Sequence, residues 1–392
     1  MHKSWISLFM LLLLTAAATP QTPKRARDYG IPFAGKPGPY NAITDVDSVT
    51  VGMVTLKSGE GKLEVGKGPV RTGVTAILPW GKTFRPVFAS QFSLNGNGEM
   101  TGYHWIKESG FLETPILITN THSVGVVRDG VIGWQQRHKY YSAAWRDVWF
   151  SLPVVAETYD GMLNDINGFH VTKEHTWQSL DNAVTGRVQE GAVGGGTGMV
   201  ALGFKGGTGT ASRVLPQQQG GFTVGVLVQA NFGGRRQLTI SGYNIGRDLL
   251  DTLNIQIAGI SPAERKEDLG SIIVVVATNA PLLPHQVNRL LQRVPIGIGK
   301  TGGIGGNSSG DIFIGFSTAN PQAFSRTEKV NVTMLSNDQI DPLLEAVIQA
   351  TEEAIINALF AAETTTGINN NTVPALPKEK VVRILKEKGI IK

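Results

Sequence analysis

An α/β fold built on sheets buried on both faces is predicted by two features of the sequence: short apolar runs that read as strands, and a long C-terminal stretch with helical periodicity. The strand candidates are 115–119 (PILIT), 199–204 (MVALGF), 222–229 (FTVGVLVQ), 271–278 (SIIVVVAT), 312–317 (IFIGFS) and 329–334 (KVNVTM). A strand with one wet face alternates polar and apolar side chains, whereas a run that is apolar throughout needs cover on both sides. From 341 to 362 the residues Leu343, Leu344, Val347, Ile348, Ala354, Ile355, Ala358 and Leu359 recur at three- and four-residue spacing, and Asp341 precedes Pro342 where a helix would start. Shorter amphipathic helices are predicted over 284–293 and 377–388. Glycines cluster at 193–210 and 297–310, and strand-like runs interrupt or follow both clusters, so they read as tight turns between packed strands.

Composition is compatible with that reading. Of 392 residues, 41% are hydrophobic and 17% charged, enough apolar material for a large core and too little charge for a disordered or coiled-coil chain. The first residues place Lys3 before an apolar run from Trp5 to Leu14, followed by Ala16-Ala17-Ala18. That run is short for a membrane span and nothing amphipathic shapes it, so 1–18 is predicted to be a secretory signal peptide cleaved before Thr19. A periplasmic or secreted chain without a stable membrane anchor is expected. With no cysteine it forms neither disulfides nor a lipid-modified cysteine anchor. The basic group Lys24, Arg25 and Arg27 is expected to lie in an exposed, poorly ordered leader. The net charge of +5 comes from scattered basic residues with few aromatic ones between them, which argues against a nucleic-acid partner.

Several chemistries are set aside on spacing. GIGKT at 297–301 resembles the end of a phosphate-binding loop, but Val294 stands where that loop needs glycine. The glycines of 193–210 do not match a dinucleotide fingerprint followed by an acidic residue about twenty positions on. His170 and His175 lack metal-ligand spacing, no G-x-S-x-G elbow following a strand-like run points to a catalytic histidine, and neither metal nor cofactor is predicted. Polar residues at strand ends remain: Ser271 after Gly270, Asn231 ending 222–229, Ser309 and Asp311 before 312–317, and Glu157 with Tyr159 in VVAETYDG. Each alone is also explained as a turn, strand-start or solvent-facing residue. The charged segment 263–270 (AERKEDLG) ends directly before Ser271 and reads as an exposed loop open to scission.

Six runs, NAITDVDSVTVG (41–52), PVVAETYDGMLND (153–165), GTGMVALGFKGGTGTASR (196–213), VLVQANFG (226–233), GSIIVVVATNAPL (270–282) and SGDIFIGFSTAN (309–320), together resemble the L-aminopeptidase/D-esterase, or β-aminopeptidase, family in the expected order. The resemblance implies a four-layer αββα sandwich like that of Ntn hydrolases with different strand connectivity. It also implies self-cleavage between Gly270 and Ser271, giving an α chain (19–270) and a β chain (271–392) within one domain, assembled as a homo-oligomer, a tetramer of αβ units. Carried over by position, Ser271 is the nucleophile, Ser309 and Asp311 support it, Asn231 stabilises the oxyanion, Tyr159 lines the site and Glu157 holds the substrate's free amino group. The implied substrates are small peptides, amides or esters with a free amino terminus, of L-, D- or β-amino residues.

The chemistry suits those residue types. A serine hydroxyl needs a nearby base, and an N-terminal α-amine, with a reference pKa of about 7.7 to 8.0, can serve once cleavage creates it. A relay through Ser309 to Asp311 is the alternative base. An amide donor on the oxyanion is worth about 3 to 4 kcal/mol. Two other functions are compatible with the sequence: acyl transfer of the ornithine/glutamate N-acetyltransferase kind, which normally uses threonine as nucleophile, and a non-catalytic exported binding protein.

Overall fold

The computed structural model describes residues 24–252, 254–258, 270–325 and 327–392. The predicted signal peptide and most of the 263–270 loop lie outside the described residues. From the N-terminal side the elements are β1 (Thr50–Ser58), β2 (Val70–Lys82), β3 (Val87–Ser93), α1 (Tyr103–Ser109), β4 (Phe111–Leu112), β5 (Ile116–Asn120), α2 (Val124–His138), β6 (Val154–Thr158) and α3 (Lys173–Asp181). There follow β7 (Val200–Ala201), β8 (Phe204–Lys205), β9 (Gly207–Val214), β10 (Thr223–Asn231), β11 (Ser271–Thr278), α4 (Pro284–Leu291), α5 (Val294–Lys300), β12 (Gly310–Ser317), α6 (Asp341–Ala361) and α7 (Lys378–Glu387).

Two sheets make the centre, a four-stranded one in the order β1-β2-β5-β6 and a six-stranded one in the order β4-β3-β12-β11-β10-β9. Side chains alternate between the two faces of a strand, and β11 shows where each face goes. Ile272, Val274 and Val276 pack with Val287, Leu290, Val347, Ile355 and Leu385 from α4, α6 and α7. Ile273, Val275 and Ala277 pack between the sheets with Ile77, Ile116, Ile118 and Val154. The outer face of the smaller sheet, through Val74, Leu78, Leu117 and Val155, is covered by Val127, Val131 and Trp134 of α2 and Leu180 of α3. The result is the four-layer αββα sandwich, with three apolar interfaces and each fully buried Val, Leu or Ile worth about 1.5 to 3 kcal/mol. Strands from both sides of residue 270 share the larger sheet, because β11 is flanked by β10 on one side and β12 on the other.

The predicted helices at 284–293, 341–362 and 377–388 are present within a few residues of their expected bounds. Of the periodic positions on α6, all but Ile348 are buried. Four expectations need correction. Residues 329–334 form no strand; Asn320 instead ties the segment down, accepting from the Thr333 N–H at 2.7 Å and donating to its carbonyl at 2.9 Å. Val330, Val332 and Met334 stay exposed, so the alternation there has no sheet to face. The run 199–204 is split by a turn into β7 and β8, and part of the second glycine cluster, at 297 and 299, lies inside α5 and not in a turn.

The fourth correction concerns the basic leader. Lys24 is exposed, but Arg25 is buried and ion-paired with Glu190 at 2.5 Å, while its guanidinium also donates to the carbonyls of Tyr40 and Asn41. Arg27 forms a two-bond fork with Glu353, at 2.6 and 2.7 Å. Buried Arg213 meets the same carboxylate at 2.8 Å and the Asn41 amide donates to it at 2.6 Å. A local run of charge is blind to a carboxylate 165 or 326 residues away, which is why these arginines read as solvent-exposed.

Candidate active site

Three strand ends meet at one edge of the larger sheet. Strand β10 runs antiparallel to β11 and β12 parallel to it, so the last residue of β10, Asn231, stands opposite Ser271, and Gly310 stands beside it on the other flank. The close approach at this corner demands glycine: a Cβ on Gly270 would lie 1.9 Å from the Asn231 carbonyl oxygen, and one on Gly310 would lie 2.4 Å from that of Asn97.

At the corner the Gly310 N–H donates to Ser271 Oγ at 3.1 Å. Because that oxygen accepts here, its own hydroxyl proton is directed elsewhere, and the amide dipole favours negative charge on Oγ. Ser309, next in sequence to Gly310, donates to Asp311 Oδ1 at 2.6 Å, and both are buried. Asn231 is oriented at both ends of its side chain: Oδ1 accepts from the Val200 N–H at 2.8 Å and Nδ2 donates to the Tyr159 carbonyl at 3.0 Å. An amide nitrogen carries two hydrogens, so the second is available for an oxyanion.

The neighbouring sheet supplies the rest. Strand β6 ends in Glu157 and Thr158, followed by Tyr159. Glu157 is 3% exposed, accepting from the Glu99 N–H at 2.9 Å and from the Thr121 hydroxyl. Burial pushes its carboxyl above the usual range, against the pull of those two donors. A Cβ placed on Gly98 would be 3.3 Å from Glu157 Oε1 and 3.4 Å from Gly310 Cα, so a single glycine separates the carboxylate from the strand start that holds Ser271. Tyr159 has an exposed ring, and partial burial followed by the Asp160 charge raises its phenol, keeping it a proton donor.

All six candidate residues, Ser271, Ser309, Asp311, Asn231, Tyr159 and Glu157, therefore fall in one region, although their sequence separations reach beyond 150 residues. The histidines set aside earlier are accounted for locally: His170 meets Asp165 at 2.9 Å and His175 accepts the Thr172 N–H at the start of α3. Sequence reading missed the 95–99 loop, whose Asn97 donates to the Ser308 carbonyl at 2.7 Å and whose Glu99 N–H holds Glu157, and it missed Thr121. The Asn-Gly-Asn-Gly run signals a turn, yet nothing in it tells which strand start the turn will cover.

The model for peptidase family S58 matches residues 41–373. The chain belongs to peptidase family S58. It is 53% identical over 388 residues to a β-peptidyl aminopeptidase, BapA, of Sphingosinicella microcystinivorans, covering 96% of this chain and 95% of that one. Among solved structures it is similar to the L-aminopeptidase D-Ala-esterase/amidase of Ochrobactrum anthropi, described as a variant of the Ntn-hydrolase fold, at 46% identity and a TM-score of 0.85, covering 94% of this chain and 99% of that one. A Burkholderia sp. β-aminopeptidase matches at 44% identity and a TM-score of 0.83, covering 93% and 99%. The chain is thus a hydrolase, an aminopeptidase of family S58, which removes the non-catalytic binding protein from consideration.

Proposed function

We propose that this S58 aminopeptidase cuts itself between Gly270 and Ser271 and then releases N-terminal residues from small peptides, amides or esters through an acyl-enzyme on Ser271. The observation that carries the reading is the corner where Ser271 Oγ accepts the Gly310 N–H opposite Asn231. In self-cleavage, Oγ attacks the Gly270 carbonyl carbon and gives up its proton, the Gly270–Ser271 C–N bond breaks to leave an ester with that proton on the departing Ser271 nitrogen, and water hydrolyses the ester. The Ser271 nitrogen is then a free α-amine one residue's reach from its own hydroxyl.

In turnover that amine takes the Oγ proton as Oγ attacks the substrate carbonyl, Asn231 Nδ2 faces the oxyanion, and the proton passes to the departing amine. Water then releases the acyl group. The Ser309 to Asp311 hydrogen bond makes the Ser309 oxygen a better acceptor, which supports the α-amine without replacing it. Export fits the 1–18 pattern, and assembly as a homo-oligomer of αβ units fits the exposed Trp105, Phe150 and Leu152, which line a common cavity. Intact mass measurement of the purified protein should find one chain starting near Thr19 and another starting at Ser271. An active preparation containing a single unbroken chain would sink the mechanism.

Glu157 is assigned the substrate's ammonium group, and an ion pair there selects a free amino terminus. In Glu157→Gln, KM for free-amine substrates should rise at least tenfold while self-cleavage proceeds, since the Gly270 carbonyl carries no nearby free amine. The carboxyl's raised pKa fixes the sign with pH: below that value the free enzyme holds a neutral acid, so kcat/KM falls as pH drops through it, earlier than an ordinary glutamate would dictate. Retention of the parent's preference for free over N-blocked peptides in the variant would take Glu157 out of this role.

A further inference from the structure

Lys205 is completely buried and takes no part in the chemistry described above. Its Nζ faces three backbone carbonyls, donating to Met199 at 2.6 Å, Gly206 at 2.9 Å and Gly196 at 3.4 Å. Three acceptors match the three N–H bonds of an ammonium; a neutral amine would turn a lone pair toward a carbonyl oxygen. Burial lowers the pKa of this lysine, the Lys57 charge lowers it further, and Asp160 opposes both. A buried cation costs several kcal/mol to desolvate, so a methionine-like side chain would fill this place at lower cost if packing were the whole requirement.

The shortest of the three bonds shows where the charge acts. The Met199 carbonyl oxygen receives the ammonium and also the Gly206 N–H at 3.0 Å. The same peptide unit ends in the Val200 N–H, which donates to Asn231 Oδ1 at 2.8 Å. Drawing electron density to the Met199 oxygen makes the Val200 N–H a stronger donor; that polarises the Asn231 amide and makes its Nδ2 hydrogens stronger donors in turn. We propose that Lys205 is a positioning residue for oxyanion stabilisation, acting through the Met199–Val200 peptide to orient and polarise the Asn231 side chain. It rests on the reading of Asn231 as the oxyanion donor.

A double-mutant cycle on hydrolysis of an aminoacyl p-nitroanilide, scored per processed chain, tests it, with the rate of self-cleavage as a second readout. Asn231→Ala is expected to lower kcat by about 10² to 10³-fold, the usual loss of an oxyanion donor. Lys205→Met should lower kcat by about 10- to 100-fold with KM near that of the parent, because polarisation of a donor is worth less than the donor. The double variant should be no slower than Asn231→Ala alone. Multiplying losses, or a Lys205→Met effect confined to KM, would overturn the inference and leave Asn231 in place. Full activity of Asn231→Ala would instead overturn the oxyanion reading, and the inference with it. If Lys205→Met fails to fold, Lys205→Gln, neutral but still a donor, takes its place in the cycle; if neither folds, the ammonium serves the fold alone and the inference falls.

Discussion

Ser271→Ala is expected to leave the chain uncut at residue 270 and unable to hydrolyse peptides, while its circular dichroism matches that of the parent. In the proposed mechanism only this side chain supplies the attacking oxygen for both reactions, and no other hydroxyl starts β11. The hydroxyl accepts a single N–H, from Gly310, so its removal removes one hydrogen bond, worth about 1 kcal/mol, from a sandwich with three apolar interfaces. Ser309→Ala and Asp311→Asn give a graded contrast. They alter the surroundings of the proton transfer and not the nucleophile, so both self-cleavage and hydrolysis should slow, by roughly 10² to 10⁴-fold at most, without vanishing. Processing is read as two bands on a denaturing gel and turnover as release of an N-terminal amino acid. A folded Ser271→Ala protein that still cuts itself and turns over substrate would move the nucleophile elsewhere, with Ser309 the next candidate.

Glu353→Gln is expected to destabilise the fold strongly while leaving the active-site residues untouched. Its carboxylate is fully buried on α6 and satisfies Arg27, Arg213 and Asn41 together. Arg213 is itself 1% exposed, so neutralising Glu353 strands a guanidinium out of water. Loss of one partner from a buried pair costs about 3 to 5 kcal/mol, far more than the pair contributes relative to apolar packing. Denaturant unfolding of the Ser271→Ala chain with and without Glu353→Gln isolates the effect, because both proteins are then single uncut chains. A difference below about 1 kcal/mol would show that Arg213 reaches water or another anion when its partner is lost.

Much of the larger sheet was legible without coordinates. The runs at 222–229, 271–278 and 312–317 are apolar on both faces because one face meets the helices and the other meets the second sheet, and a doubly covered strand leaves that mark in its composition. The long helix was equally plain, its apolar stripe set by the sheet beneath it. The helices on the opposite side left no such mark. Strand β2 carries Gly73 and Pro79, and α2 carries three glycines, of which Gly130 lies so close to α3 that a Cβ would be 2.8 Å from that of Thr176. Close packing there favours residues that lower local helix propensity, so the signal that announces α6 is muted in α2.

The site divides in the same way. The sequence by itself determined the residue types, the glycine before Ser271, the serine and aspartate two apart, and the likeness to one family, all of which are properties of short segments. Only the tertiary structure decided what each segment meets. Register across β10, β11 and β12 sets Asn231 and Gly310 on either side of Ser271. The face-to-face packing of two sheets brings Glu157 behind Gly98, and the turn between β7 and β8 brings Lys205 to the peptide that holds Asn231. The same lack of local signal hid the partners of Arg25 and Arg27. Hydrogen bonds and ion pairs act over about 3 to 4 Å in space whatever the separation along the chain, so a partner hundreds of residues away leaves no trace in the local pattern of either residue.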